Sequence, residues 1–272
     1  MPTTDHDLDP ILKHADADDL GVLVDYITDN GTGRLALDSD VCRVLDSARR
    51  SGRFGTHERA LIGKEIRLFG GNSIMNLFRS DGVPYAEVLR DVVSHMGVKF
   101  SKADSVEQME AALLVDVMKR AFEKMSDAER RQILDELGIA YSGMGPAAMA
   151  AVFAAMKMSG FSIYKIALIV ANALARSLVG RGLTLGANAA ITRGLGIALG
   201  PIGWAVTGLW SIADLASPAY RVTVPCVIQI AYMRQKAAAG SQCPACHEQV
   251  DADARFCPHC GHRLQTLRLP AA

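Results

Sequence analysis

Apolar residues recur every three or four positions along the first half of the chain, which is the period of an amphipathic helix. Asp16 predicts a capped helix through Leu20, Val22, Leu23, Tyr26 and Ile27, and Gly31-Thr32-Gly33 breaks it. A second helix is expected after Ser39, with Val41, Val44 and Leu45 on one face. A third runs from about Thr56 to Phe69 and stops at Gly70-Gly71, after which Asn72 or Ser73 starts the next through Ile74, Leu77 and Phe78. Pro84 opens another in its first turn, through Val88, Leu89, Val92 and Val93. Ser105 with Gln108 and Ser126 with Glu129 form capping boxes. The first opens a helix carrying Val106, Met109, Leu113, Leu114, Val117, Met118, Phe122 and Met125, and the second a helix that ends at Gly138. No alternating run with turn chemistry predicts a strand, and no internal repeat is present.

Gly143 to Pro146 reads as a junction, and the pattern changes beyond it. Residues 147–175 are almost wholly apolar or small, interrupted by Lys157 and Lys165. Gly194 to Ala213 is a run of 20 residues without a charge, long enough to span a bilayer, but it holds five glycines and Pro201. Gly182 with Gly186 and Gly196 with Gly200 are pairs of small residues that let helices approach closely. Two readings stay open for residues 147–216. One is a tightly packed helical core. The other is a membrane-inserting hairpin, with Arg176, Arg181 and Arg193 at the headgroups and with Asn172, Asn188 and Asp214 costly in lipid. Pro218 and Pro225 frame the β-branched piece Val222-Thr223-Val224, and a last helix follows through Val227, Ile228, Ile230, Ala231 and Met233. Ala237 to Ser241 reads as a short linker.

Composition sharpens this picture. Half of the residues are hydrophobic but only 6% are aromatic, which favours packed helices. The net charge of zero divides unevenly: residues 1–141 carry −7, residues 142–240 carry +7 with Asp214 as their one acid, and the remainder is neutral. Either the two halves attract each other within one fold, or the basic half faces an anionic surface. The N-terminus is acidic and has no apolar run, so no secretory signal is expected. The expected class is all-α: an acidic helical domain at 1–141, a basic, apolar, glycine-rich helical region at 142–240 packed on it or on a membrane, and a small metal module at 241–272.

That module carries the clearest chemistry. Cys243-Pro-Ala-Cys246 and Cys257-Pro-His-Cys260 are two C-x-x-C knuckles ten residues apart. Each presents two thiolates on a tight turn, and together they make the closed four-sulfur cage of structural zinc. Cys243, Cys246, Cys257 and Cys260 are therefore the expected ligands of one Zn2+, with no open position for catalysis. Residues 243–264 resemble the small zinc-ribbon family, in which a phenylalanine precedes the second knuckle, as Phe256 does here. His247 stands where that family has glycine, and His259 and His262 are expected to be exposed. Such modules contact protein or nucleic acid, and the neutral charge of this one argues against nucleic acid. Cys42 and Cys226, far apart in apolar contexts, are expected to be free, buried thiols of a reducing compartment.

Two further segments are distinctive: Leu68-Phe-Gly-Gly-Asn-Ser-Ile74, followed by Tyr85 to Val93, and Ala219-Tyr-Arg-Val-Thr-Val-Pro225, continuing to Ala231. With the Asp7-Leu8-Asp9 helix they resemble the YaaW-like family of bacterial proteins over about residues 5–238, a family grouped under a ubiquinol–cytochrome c chaperone-like heading. The resemblance implies a helical fold and a part in assembly, and brings no catalytic residues. The chain itself shows no phosphate loop, no H-E-x-x-H spacing and no nucleophile elbow, and it identifies no small-molecule substrate. The expectation is a non-enzymatic interaction or scaffold protein with a protein partner. Alternatives are a membrane-inserting, pore-forming-like protein kept soluble by its acidic half, or an assembly chaperone for a membrane complex. The expected location is cytoplasmic, peripheral to or inserted in the inner membrane.

Overall fold

The computed structural model describes residues 4–33, 37–70, 82–137, 154, 160–179, 220–239, 243, 245–246, 256–257 and 259–263. Among them are nine helices: α1 (Asp9–His14), α2 (Ala17–Thr28), α3 (Ser39–Ser51), α4 (Thr56–Phe69), α5 (Tyr85–His95), α6 (Val106–Lys124), α7 (Asp127–Leu137), α8 (Gly160–Val179) and α9 (Tyr220–Ala239).

The sequence signals set most of these boundaries. Asp16 caps α2 by accepting the Asp19 N–H, and Ser105 and Gln108 close a reciprocal box at the start of α6. Ser126 and Glu129 do the same for α7. Asp38, rather than Ser39, caps α3, and its carboxylate accepts the N–H groups of Asp40 and Val41. Pro84 is the cap of α5, one position before the helix. The first N–H of that helix, on Tyr85, donates to Asp5 Oδ2 at 2.7 Å. The same carboxylate accepts the Asp7 and Leu8 N–H groups ahead of α1. One buried aspartate thus joins the start of α1 to that of α5, whose first residue lies 80 positions beyond it.

Pro225 departs from expectation. It lies inside α9, so Val222, Thr223 and Val224 are helical rather than a framed extended piece. Proline removes the hydrogen bond to the Arg221 carbonyl. Burial outweighs that loss, because every residue from Val222 to Met233 is buried. The middle of α8 is also enclosed on all sides, with residues 166–175 buried without interruption, as a stretch that is apolar nearly all round requires. Helices α8 and α9 pack on each other, and α9 also touches α1, α2, α4, α5 and α6, so helices from both ends of the chain share one core. No helix among the described residues is long and apolar enough to cross a membrane. The junction at Gly143–Pro146, the helix expected after Asn72, the Gly182–Gly186 pair and the uncharged run 194–213 lie outside the described residues, and Ala237 to Ala239, expected to begin a linker, are instead the last residues of α9.

Gly70 shows how closely α4 meets α5. A Cβ there would lie 2.3 Å from Val88 Cγ2. Gly82, at φ +75°, passes over the end of α4, where a Cβ would stand 2.4 Å from the Arg67 carbonyl carbon.

Candidate metal centre

The two cysteine knuckles come together in space. The four sulfurs of Cys243, Cys246, Cys257 and Cys260 all lie within 4.8 Å of one another, and the Cys243–Cys260 and Cys246–Cys257 pairs are each 3.5 Å apart. A tetrahedral zinc with bonds of about 2.3 Å places its sulfurs about 3.8 Å apart, so the cluster fits the ion. Cys243 and Cys257 are buried, Cys246 is half-buried and Cys260 is exposed.

Backbone geometry builds the cage. The Ala245 N–H points at Cys243 Sγ at 3.4 Å. Gly261, at φ +71°, turns the chain after the second knuckle, and its N–H donates to the Cys257 carbonyl. The Cys257 N–H donates to the His262 carbonyl, and Phe256 and Arg263 face each other in an isolated antiparallel bridge. Burial works against ionisation of Cys243, but the Ala245 and Cys246 N–H groups and the neighbouring thiols bring it down to about 7. Cys257 is lowered in the same way by the Cys260 and His259 N–H groups against burial. Thiolate character is what a metal requires. His259 and His262 are exposed, as expected, while Phe256 is 58% exposed rather than packed beside the knuckle. His247 lies outside the described residues.

Sequence reasoning did not find a second polar assembly, at the C-terminal end of α9. Arg234 donates from Nε to Glu110 Oε2 at 2.7 Å and from Nη2 to Glu110 Oε1 at 3.3 Å, and Nη2 also reaches the Asp7 carbonyl. Glu110 is fully buried and accepts the Tyr85 hydroxyl at 2.7 Å. Burial raises the Glu110 carboxyl above its ordinary value, and Arg234 and Tyr85 pull it back. Two residues on, the Lys236 ammonium sits between Asp16 Oδ2 at 2.6 Å and Asp19 Oδ2 at 2.8 Å. Both clusters tie the basic part of the chain to the acidic part. Arg221 is exposed, and its neighbour Tyr220 stacks on His95 with ring centroids 3.7 Å apart. Neither Cys226 nor Cys42 is in a disulfide; Cys226 is buried as expected, while Cys42 is only half-buried.

Comparison with known proteins agrees with both parts of this architecture. Residues 60–228 match the family model described as Ubiquinol-cytochrome C chaperone, and residues 242–264 match a zinc-ribbon domain. The chain is 34% identical over 234 residues to a UPF0174 protein of Helicobacter pylori strain J99, an alignment covering 85% of this chain and 92% of that one. A second UPF0174 protein of the same strain is 35% identical over 181 residues, covering 64% and 87%. The UPF0174 protein YaaW of Escherichia coli K12 is 30% identical over 240 residues, covering 86% and 96%. No solved structure matches the chain. The zinc-ribbon match and the sulfur cluster together give the protein one structural zinc.

Proposed function

The chain belongs to the UPF0174 family and to the family described as ubiquinol–cytochrome C chaperones, and on that premise we propose that it is a non-enzymatic scaffold or assembly chaperone with a protein partner. Its helical body is the acidic 1–141 unit joined to the basic 142–240 region. Its ribbon, 241–272, is the recognition element, with Cys243, Cys246, Cys257 and Cys260 holding the zinc. Four sulfur ligands saturate the ion, so the metal supplies folding energy and no Lewis-acid chemistry.

The observation that carries this reading is Phe256. Among the described residues it is the exposed large hydrophobic side chain, and it is held beside a zinc knuckle rather than packed into the body. A rigid aromatic presented on a small metal-folded module is suited to anchoring in a pocket of another protein. The test is photo-crosslinking in cells from position 256, with exposed Arg43 as the control position. The expected result is a discrete protein adduct from 256 that disappears in Cys243→Ser. Equal labelling from both positions would overturn the reading.

A second reading, contact with the inner membrane from the cytoplasmic side, rests on the uncharged run 194–213. Liposome flotation separates its forms. Binding to anionic vesicles that survives high salt supports insertion, binding lost in salt supports surface contact through the +7 region, and the absence of flotation removes the reading.

A further inference from the structure

The Gln229 side chain lies in the contact between α2 and α9 with no exposure to solvent. Its Nε2 donates to Asp19 Oδ1 at 3.4 Å, while its Oε1 has no hydrogen-bond partner among the described residues. A buried acceptor without a donor is costly. The carboxyl facing this amide, Asp19, is itself 5% exposed. As a carboxylate it only accepts, so it cannot satisfy a second acceptor. As a carboxylic acid it carries an O–H, and acid against amide closes a ring of two hydrogen bonds.

We propose that Asp19 is a proton-sensing group: in mild acid it takes a proton from solvent, donates it to Gln229 Oε1 and tightens the contact between α2 and α9. The ammonium of Lys236 is then kept by Asp16, whose Oδ2 already lies 2.6 Å away. The other groups around the site do not replace this role. Asp16 and Asp18 on the same turn raise the Asp19 carboxyl, and Lys236 on α9 lowers it. Tyr232 on α9, with Tyr164 of α8 beside it, is kept protonated by burial and makes no hydrogen bond to Gln229. Arg59 on α4 is spent on carbonyls at the end of α1, and Arg49 on α3 pairs with Asp25 further along α2.

Burial raises the Asp19 carboxyl from 3.8 to about 6. A folded value above the unfolded one means that the folded state binds the extra proton. The stabilisation is therefore complete below about 3.8 and is lost as the pH rises through about 6. The contact is tighter in acid, the reverse of ordinary acid denaturation.

The test uses the full zinc-loaded chain. Carboxyl-carbon NMR should give Asp19 a midpoint near 6. Amides of α2, corrected for intrinsic rates, should exchange about fourfold more slowly at pH 5.5 than at pH 7.5. Asp19→Asn, whose amide can donate to Gln229 Oε1, should show the acid-state protection at both pH values. Lys236→Met should move the midpoint higher. A midpoint in the ordinary range near 4, or protection that does not change with pH in the wild type, overturns the proposal even if a variant fails to fold.

Discussion

Replacing Arg234 by methionine strands a buried carboxylate. Glu110 is fully enclosed, and its two oxygens are held by the Arg234 guanidinium and the Tyr85 hydroxyl. Without the cation, the carboxyl avoids a buried charge by taking a proton. From an ordinary value of 4.5, protonation at pH 7 costs about 1.4 kcal/mol for each pH unit, roughly 3.4 kcal/mol in all. This lies within the roughly 3–5 kcal/mol typical of breaking a buried pair. At pH 5 the same step costs about 0.7 kcal/mol. The sign follows from proton binding: in the variant, folded Glu110 holds a proton that the unfolded chain releases above 4.5, so stability falls as pH rises and the gap to wild type widens. Urea unfolding of the zinc-loaded protein at pH 5 and pH 7 measures this directly, and in thermal unfolding at pH 7 the midpoint should drop by roughly 7–14 °C. Adding Glu110→Gln should recover most of the loss at pH 7, because a neutral amide needs no counterion and still accepts from Tyr85. Equal destabilisation at the two pH values, or no recovery in the double variant, would refute the assignment of the loss to a stranded charge.

Three other outcomes follow from the same geometry. The purified chain should hold one equivalent of zinc by elemental analysis, and Cys243→Ser or Cys257→Ser should release it; a chelator should expose the tail to protease while the helical circular dichroism of the body persists. Gly70→Ala should destabilise by about 1–3 kcal/mol in denaturant unfolding, because its methyl group overlaps Val88 of α5, and adding Val88→Ala should offset part of that loss. Gly82→Ala should be the more damaging glycine substitution, since it adds a positive φ to an overlap with the backbone at Arg67, which cannot rotate away as a side chain can. A Gly82→Ala variant as stable as wild type would contradict the close passage of this loop over the end of α4.

Local chemistry was legible where it is local. Caps at Asp16, Ser105 and Ser126 and the stop at Gly70 act within one turn, so residue type and spacing were enough to place them. The sulfur cluster was legible because each C-x-x-C knuckle is built within a few residues, and few folds use two of them otherwise. Pro225 was misread because proline's local preference for helix starts and turns was outweighed by tertiary burial along α9. The Glu110–Arg234 pair joins residues 124 apart, and only the packing of α9 against α6 brings them together. A signal was present nonetheless: Glu110 lies four residues after Val106 and three before Leu113, on the buried stripe of α6, where a carboxylate needs a partner.

The uneven charge of the chain acquires a physical meaning at the end of α9. A diffuse attraction between a −7 half and a +7 half would fade beyond about 8 Å at physiological salt. The described basic residues bear this out in their placement. Arg176 and Arg221 are exposed and Lys165 is half-buried, whereas Arg234 and Lys236, one turn of helix apart at most, reach Glu110, Asp16 and Asp19 directly. Glu110 and Asp19 are nearly or wholly enclosed, so these bonds act at low local dielectric, where salt screens little. Among the described residues, the electrostatic link between the two halves is therefore a short, specific contact at one helix end, added to the apolar core they share. Because α9 also packs on six of the other helices, a change at that end is felt by the α1–α2 start of the chain and by the α5–α6 pair together.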